Sequence, residues 1–358
     1  MKIALISDTH FGARGDNLNV NEYFFKFWDN IFFPYLKANN IKTVVHLGDV
    51  VDRRKFVNYR IAQDFRLRFM NRFWDEGIDT HILVGNHDVF YKNTNKVNAI
   101  ENLCTTYDGK NEPFIYTNPK TVNFDGLDIL FLPWISPENY AASMAMIKST
   151  KAQVVMGHLE IAGFEMDRGN VCHEGFNRSL FDRFDIVMSG HFHHKSSDGT
   201  IFYLGNQYEM TWADYNDQRG FHIFDTDTRE LTFVPNPYRL FYKLVYDDKE
   251  DLDFEKLKAM DFSEYHGTYV KVLVVNKTNP YLFDTYINDL IKAEPIDISV
   301  IEDTLSLTDL SEDDTMDQAE DTLTILNKYV DGLSLTADPD KMKAILREIY
   351  VEAQNIEA

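Results

Sequence analysis

The chain has little cysteine. Cys104 and Cys172 are the two in 358 residues, and no CxxC occurs. That composition offers no disulfide framework and fits a reducing cytoplasm. Long apolar runs are also missing: no stretch approaches the roughly 20 residues of a membrane span. The opening "MKIALISDTH" carries one Lys and an Asp at position 8, with no small-residue cleavage site. It reads as a first strand and not as a signal peptide. Basic residues are scarce, with 36 Lys and Arg against 57 Asp and Glu and a net charge of -21. That argues against the broad basic footprint of many nucleic-acid binders. The imbalance is uneven, however. Residues 300–358 hold roughly 15 acids and 4 bases, about half of the excess. An acidic tail says little about a distant site, and carboxylates gathered around cations are neutralised by them.

What is present is an apolar fraction of 44%, enough for a large core, with regular alternation at the start of the chain. "KIALIS" (2–7), "KTVVHLGD" (42–49) and "THILVGN" (80–86) read as strands. Between them, 21–40 and 59–77 carry aromatics at helical spacing, the second ending at Gly77. This β-α-β-α-β order predicts an α/β fold with a largely parallel inner sheet. Later strands are expected at 127–133, 152–157, 184–188, 200–204, 219–225 and 230–234, the last three as an antiparallel return. The first domain then spans 1–237. Residues 238–299 read as a small α+β module, 300–318 as an acidic linker, and 319–358 as a segment with two amphipathic stretches. Turn and cap signals separate those two stretches, so they form a helical hairpin without a core of its own.

Five short stretches carry the chemistry: "SDTHF" (7–11), "LGDVVDRR" (47–54), "VGNHD" (84–88), "MGHLE" (156–160) and "SGHFHH" (189–194). Each follows a predicted strand, and sites in α/β sheets form at the carboxyl ends of strands. In extended chain, residues i and i+2 point the same way. Asp8 and His10 should therefore face one site together, as should His191 and His193, with His194 turned away. Small residues Gly48, Gly85, Gly157 and Gly190 precede the polar positions and allow close backbone approach. His46, His81 and His222 read as core histidines. The candidates are Asp8, His10, Asp49, Asn86, His158, His191 and His193. Seven donors are too many for one tetrahedral zinc. They suit two metals roughly 3.5–4 Å apart that share a carboxylate. Imidazole, carboxylate and amide oxygen without thiolate favour two Mn(II) ions, with Mg, Fe or Zn as alternatives.

The ordered set D-x-H, GDxxD, GNHD, GH, GHxH resembles the calcineurin-like metallophosphoesterases. Its order and spacing are similar to the nuclease branch typified by SbcD and the double-strand-break-repair nucleases. The resemblance covers 1–237 strongly. It implies a β-sandwich flanked by helices, with 238–299 as a DNA-capping domain. The short chain and acidic linker resemble the T-even phage members of that branch. The resemblance further implies that Asp8, His10 and His193 hold one metal and that Asn86, His158 and His191 hold the other. Asp49 would bridge them. His87 would contact the scissile phosphate and protonate the leaving oxygen, a role suited to imidazole. Asp52 stands where archaeal and eukaryotic relatives carry histidine, and could hydrogen-bond His87. Arg53, Arg54 and Lys55 at the mouth are candidates for phosphate contacts.

The implied function is a Mn-dependent DNA nuclease, with 3′-5′ exonuclease activity on duplex ends and endonuclease activity on single strands or hairpins. Its implied partners are DNA and an SbcC-type coiled-coil ATPase, gripped by the C-terminal helices, for recombination and repair. Helices near 59–76 and 94–105 would form a homodimer. The alternatives are a phosphomonoesterase or cyclic-nucleotide phosphodiesterase of the same fold, or a non-catalytic scaffold. The capping module and hairpin speak against the former, and the undegraded donor set speaks against the latter.

Overall fold

The computed structural model describes residues 1–104, 112–167, 169–249 and 252–302. The expected helical segment at 319–358, and the linker beyond residue 302, lie outside the described residues. Within them, two six-stranded sheets pack face to face. The first runs Leu231–Pro235, Gly220–Asp225, Lys2–Ile6, Thr43–His46, Asp79–Leu83 and Phe114–Tyr116 across the sheet. The second runs Ser196–Ser197, Ile201–Tyr203, Ile186–Gly190, Val154–His158, Leu127–Leu132 and Lys120–Phe124. Each contains four neighbouring parallel strands. The antiparallel pairs of these sheets lie toward their margins.

Alternate side chains of the first strand explain the layering. Ile3 and Leu5 join Val45, Leu47 and Leu83 against Ile129, Phe131, Val154, Met156 and Met188 in the space between the sheets. Ala4 and Ile6 face the other way, onto helices rich in aromatics. Strands buried on both faces need continuous apolar runs, which is how these read. The helical stretch 18–38 contains a π segment at Trp28–Phe32, and the stretch 59–75 contains one at Phe65–Met70. Their large rings meet there: Trp28 lies edge-on to Phe69 with centroids 4.8 Å apart. A third layer, around Leu130, Val155 and Phe181, covers the outer face of the second sheet.

Two expectations change. The strand expected at 200–204 does not belong to the antiparallel return: Ile201–Tyr203 pairs in parallel with Ile186–Gly190, in the second sheet. Gly220–Asp225 and Leu231–Pro235 alone return antiparallel, beside Lys2–Ile6. The strand Lys120–Phe124 was not expected at all, because its half-exposed sequence "KTVNF" lacks an apolar run.

Residues from 241 build a separate three-stranded sheet, Phe241–Asp247, Tyr269–Asn276 and Asp297–Ile301, all parallel. Helices Phe254–Ala259 and Pro280–Lys292 supply the crossovers that parallel strands require. Val270, Val272 and Val274 pack on Leu282, Phe283, Tyr286 and Leu290. The third strand runs to Ile301, two residues past the position at which the sequence reading ended this module.

Candidate metal centre

The five stretches converge, but from two sheets. Asp8, Asp49 and Asn86 follow strands of the first sheet; in the second, His158 closes one strand and His191 follows another. The centre therefore sits across the paired carboxyl edges of the sandwich, not on the edge of one sheet. The backbone there is not extended either. Asp8, His10, Asp49 and His191 all adopt positive φ, at 52°, 42°, 56° and 86°. Side chains are turned inward by left-handed residues, so the i, i+2 argument reached a convergence that sharp turns create. Such residues persist only where their surroundings hold them. Here the turns are interlocked: a Cβ on Gly85 would collide with Asp49, and one on Gly190 would collide with Ser7.

The donors fall into two groups. One ligand atom each from Asp8, His10 and His193 lie within 4.8 Å of one another, and likewise for Asp49, His158 and His191. His10 Nε2 and His193 Nε2 are 3.1 Å apart. Asn86 Oδ1 joins the second group, 2.9 Å from both His158 Nε2 and His191 Nδ1. Asp49 Oδ2 stands between the groups, 3.3 Å from His158 Nε2 and 3.9 Å from His10 Nε2. Donors bound to one ion at about 2.0–2.2 Å lie roughly 3–3.5 Å apart; the spacings within each group are near that range, and Asp49 to His10 is longer.

Hydrogen-bond accounting tests the fit to cations. His158 Nδ1 is 2.8 Å from the Leu47 carbonyl, which can only accept. The ring must donate there, so a neutral His158 presents a lone pair at Nε2. That lone pair faces Asn86 Oδ1 and Asp49 Oδ2, both acceptors at this spacing. His10 Nδ1 similarly lies 3.4 Å from Asp52 Oδ1, leaving Nε2 toward His193. Buried acceptors that converge are satisfied by a cation, or a proton, held between them. Against burial, which lowers it, the carboxylates of Asp49 and Asp8 push His158 up to about 9. Burial likewise lowers His10, but Asp52 and Asp49 push it up to about 9. Burial raises Asp8 to about 6. The residues fit a pair of divalent ions, whose binding would displace these protons.

The family match concerns this same part of the chain. A model of the calcineurin-like phosphoesterases matches residues 1–195.

The chain belongs to the calcineurin-like phosphoesterase family.

It is accordingly a metal-dependent phosphodiester hydrolase. Exonuclease subunit 1 of Enterobacteria phage T4 is 29% identical over 358 residues, covering 99% of both chains. The SbcD subunit of the nuclease SbcCD from Staphylococcus saprophyticus is 29% identical over 132 residues, 34% of each chain. A solved archaeal phosphodiesterase covers 66% of the chain, and the match takes in 100% of its own, at 19% identity and a TM-score of 0.31. No helix among the described residues is long and apolar enough to cross a membrane.

Several neighbours of the phosphoesterase centre differ from their sequence reading. Asp52 does not meet His87 through its carboxylate. Its backbone carbonyl lies 2.6 Å from His87 Nδ1, while the carboxylate faces His10. A ligating imidazole oriented by a carboxylate on its far nitrogen is a common tuning device. The His87 backbone N–H donates to Asp49 Oδ1 at 2.7 Å, and burial lowers the His87 pKa. Arg53 pairs with the Asp16 carboxylate and lies over the Phe56 ring at 4.4 Å. Lys55 is exposed and Arg54 half-buried.

His194 turns away, as expected, with Nδ1 2.8 Å from Asp217 Oδ2. The core readings of His46, His81 and His222 agree with their burial, which lowers them to about 3, 4 and 3.

Three supporting residues escaped sequence reasoning. The buried Asp88 carboxylate accepts four backbone N–H bonds, from Gly85, Asp49, Val50 and Val51, at 2.8–3.1 Å. It thereby ties the loop of Asn86 to the loop of Asp49. Buried Arg219 donates to the His193 carbonyl and to Asp214 Oδ1, the latter at 2.5 Å. Trp134 stands beside the second donor group, its ring 5.3 Å from that of His191. The motif "GNHD" was a signal for Asp88; Arg219 and Trp134 had none.

Proposed function

We propose that this phosphoesterase is a two-metal DNA nuclease, Mn-dependent, working with an SbcC-type ATPase in recombination and repair. Asp8, His10 and His193 would hold one ion, and Asn86, His158 and His191 the other, with Asp49 shared. Bound ions would polarise the phosphate and activate a water for in-line attack. The chain supplies the geometry and the proton. His87 Nδ1 donates to the Asp52 carbonyl, so Nε2 is the nitrogen that can serve a substrate oxygen. A buried imidazolium gives up its proton readily, and in the transition state that proton would go to the leaving oxygen. The observation that carries the reading is the coupling of His87 to the shared carboxylate. One hydrogen bond, from His87 N–H to Asp49 Oδ1, registers the acid against the ions.

DNA as substrate is supported by the full-length similarity to a phage exonuclease subunit. Homodimerisation through the helix at 59–75 and the neighbouring 99–104 is part of the proposal. Tyr59 and Leu67 there are 94% and 48% exposed, a wide apolar offering for a water-facing helix.

The test is hydrolysis of duplex, hairpin and single-stranded DNA with Mn or Mg, for wild type and His87→Ala. His87→Ala should keep two metals per chain and lose roughly 100-fold or more in rate. A rate within a few-fold of wild type would remove His87 from the chemistry. Mn-loaded wild type that cuts none of the three substrates would refute the nuclease itself.

A further inference from the structure

The metal centre opens into a chamber of about 600 Å³ whose lining includes His10, Asp52, His87 and His193. The lining also includes Arg14 and Tyr269, the latter from the first residue of a strand in the C-terminal sheet. Arg14 is the one Lys or Arg among the described residues lining this space. Its backbone is unusual. Arg14 (φ 53°, ψ 46°), Gly15 (φ 66°, ψ 39°) and Asp16 (φ 63°) are three consecutive left-handed residues. Such a run is costly for side-chain-bearing residues, which visit this region as single positions elsewhere in folds. The turn is braced twice, by Asp16 N–H donating to the Gly12 carbonyl at 3.0 Å and by Arg53 on the Asp16 carboxylate. The brace holds the Arg14 guanidinium over Tyr269, 4.9 Å from the ring centroid, and 5.9 Å from that of Phe241. Those two rings stack on each other at 5.4 Å. A planar cation laid on aromatic faces is pre-oriented. Its donors lie in the guanidinium plane, so stacking sets the direction from which an oxyanion can approach them.

We propose that Arg14 is a phosphate-binding residue, taking the phosphodiester next to the scissile one and held in place by the C-terminal sheet through Tyr269 and Phe241. This rests on the nuclease reading and deepens it: the substrate must carry a second phosphate. The scissile group belongs to the metal side of the chamber, where Arg14 is not a donor. A strand leaving that side along the chamber meets the guanidinium on its way out. The C-terminal sheet thereby becomes part of the active site, by orienting a cation at its mouth.

The experiment measures two quantities on the full Mn-loaded chain. One is the ratio of kcat/KM for a short oligothymidylate to that for bis(p-nitrophenyl) phosphate, which has no neighbouring phosphate. The other is the affinity for a phosphorothioate oligothymidylate as a function of salt. Arg14→Gln should lower both the ratio and the affinity roughly 10–100-fold, the range of a charged hydrogen bond. The slope of log affinity against log salt should shrink by about one. Arg14→Lys should fall between Arg14→Gln and wild type. Tyr269→Phe should keep the wild-type ratio and Tyr269→Leu should lower it, because the ring and not the hydroxyl orients the guanidinium. The idea is overturned if Arg14→Gln leaves the ratio and slope unchanged, or depresses both substrates equally. A wild-type chain that binds the oligonucleotide but cuts nothing would sink the nuclease reading alone, while the affinity and salt slope still decide Arg14.

Discussion

Three histidines share the stretch 191–194, and their neighbours separate them. His191 lies against Asn86, and His193 against His10. His194 is engaged by Asp217 and, at 3.5 Å, by Glu165. His194→Ala should leave metal content intact and cost under about 1.5 kcal/mol, one net hydrogen bond. His191→Ala and His193→Ala should each lose an ion, as elemental analysis of dialysed protein would read. Equal metal loss in all three would mean that His194 also feeds the centre. That these residues meet was legible in the sequence, because five short polar motifs each follow an apolar strand. Their backbone was not, since no side-chain pattern announces a left-handed Asp or His.

Glu209 shows the same limit: buried, it accepts N–H bonds from Leu240 and Phe241 at 2.6 and 2.9 Å, where the C-terminal sheet begins. Burial raises it to about 7. A carboxyl raised above its unfolded value stabilises in its protonated form. That contribution is complete below about 4.5 and is lost as pH rises through about 7. Glu209→Gln keeps an acceptor without the charge. Its unfolding free energy, read from denaturant titrations, should rise relative to wild type between pH 5 and 8, by on the order of 2–3 kcal/mol at the upper end. A gap that narrows with rising pH would reverse the assignment.

At the scale of elements, the centre depends on loops gripping each other across strands. The carboxylate of Asp88 collects the N–H groups of two loops, and Gly85 lets the backbone of one lie against Asp49 of the other. Gly85→Ala adds a Cβ with no room, so Asp49 must shift. The expected outcome is loss of both ions from a chain that still folds. An unaltered metal content would show that the loops can part without cost. Asp88→Asn should act similarly but less severely, since an amide oxygen retains some of the four bonds. Elements legible in advance were those with long apolar or strongly periodic sequences, such as Lys2–Ile6 and the helices over 21–38 and 59–75. Lys120–Phe124 was not, because an edge strand exposed on one side carries polar residues that resemble a loop. The assignment of Ile201–Tyr203 failed for another reason. A three-residue strand has no periodicity, and only the partner across the sheet decides whether it runs parallel.

At the scale of the molecule, the chain divides its charge in a way that suits a two-part task. The phosphoesterase layers and the C-terminal sheet are folded around four apolar clusters. About half of the net negative charge lies in residues 300–358, which begin within the strand Asp297–Ile301. In that segment "AEDTLTILNKYV" and "PDKMKAILREIYVEAQ" each place apolar residues at helical spacing, without enough sequence for a core of their own. The proposed function gives these stretches a role: folded as amphipathic helices they would need an apolar groove or another helix as partner, and the proposed coiled-coil ATPase would supply such a surface. Truncation after residue 302 keeps every residue named at the metal centre and all three strands of the C-terminal sheet. The truncated chain should therefore retain two Mn per protomer and cleave single-stranded DNA at a rate within about threefold of the full chain, the ordinary reach of context effects on a distant site. Co-purification with the proposed SbcC-type ATPase should be lost, together with any ATP stimulation of duplex cleavage. If the truncated chain still retains the ATPase, the docking surface lies on the folded part. The exposed apolar residues Val245 and Val275 of the C-terminal sheet would then be the next positions to alter.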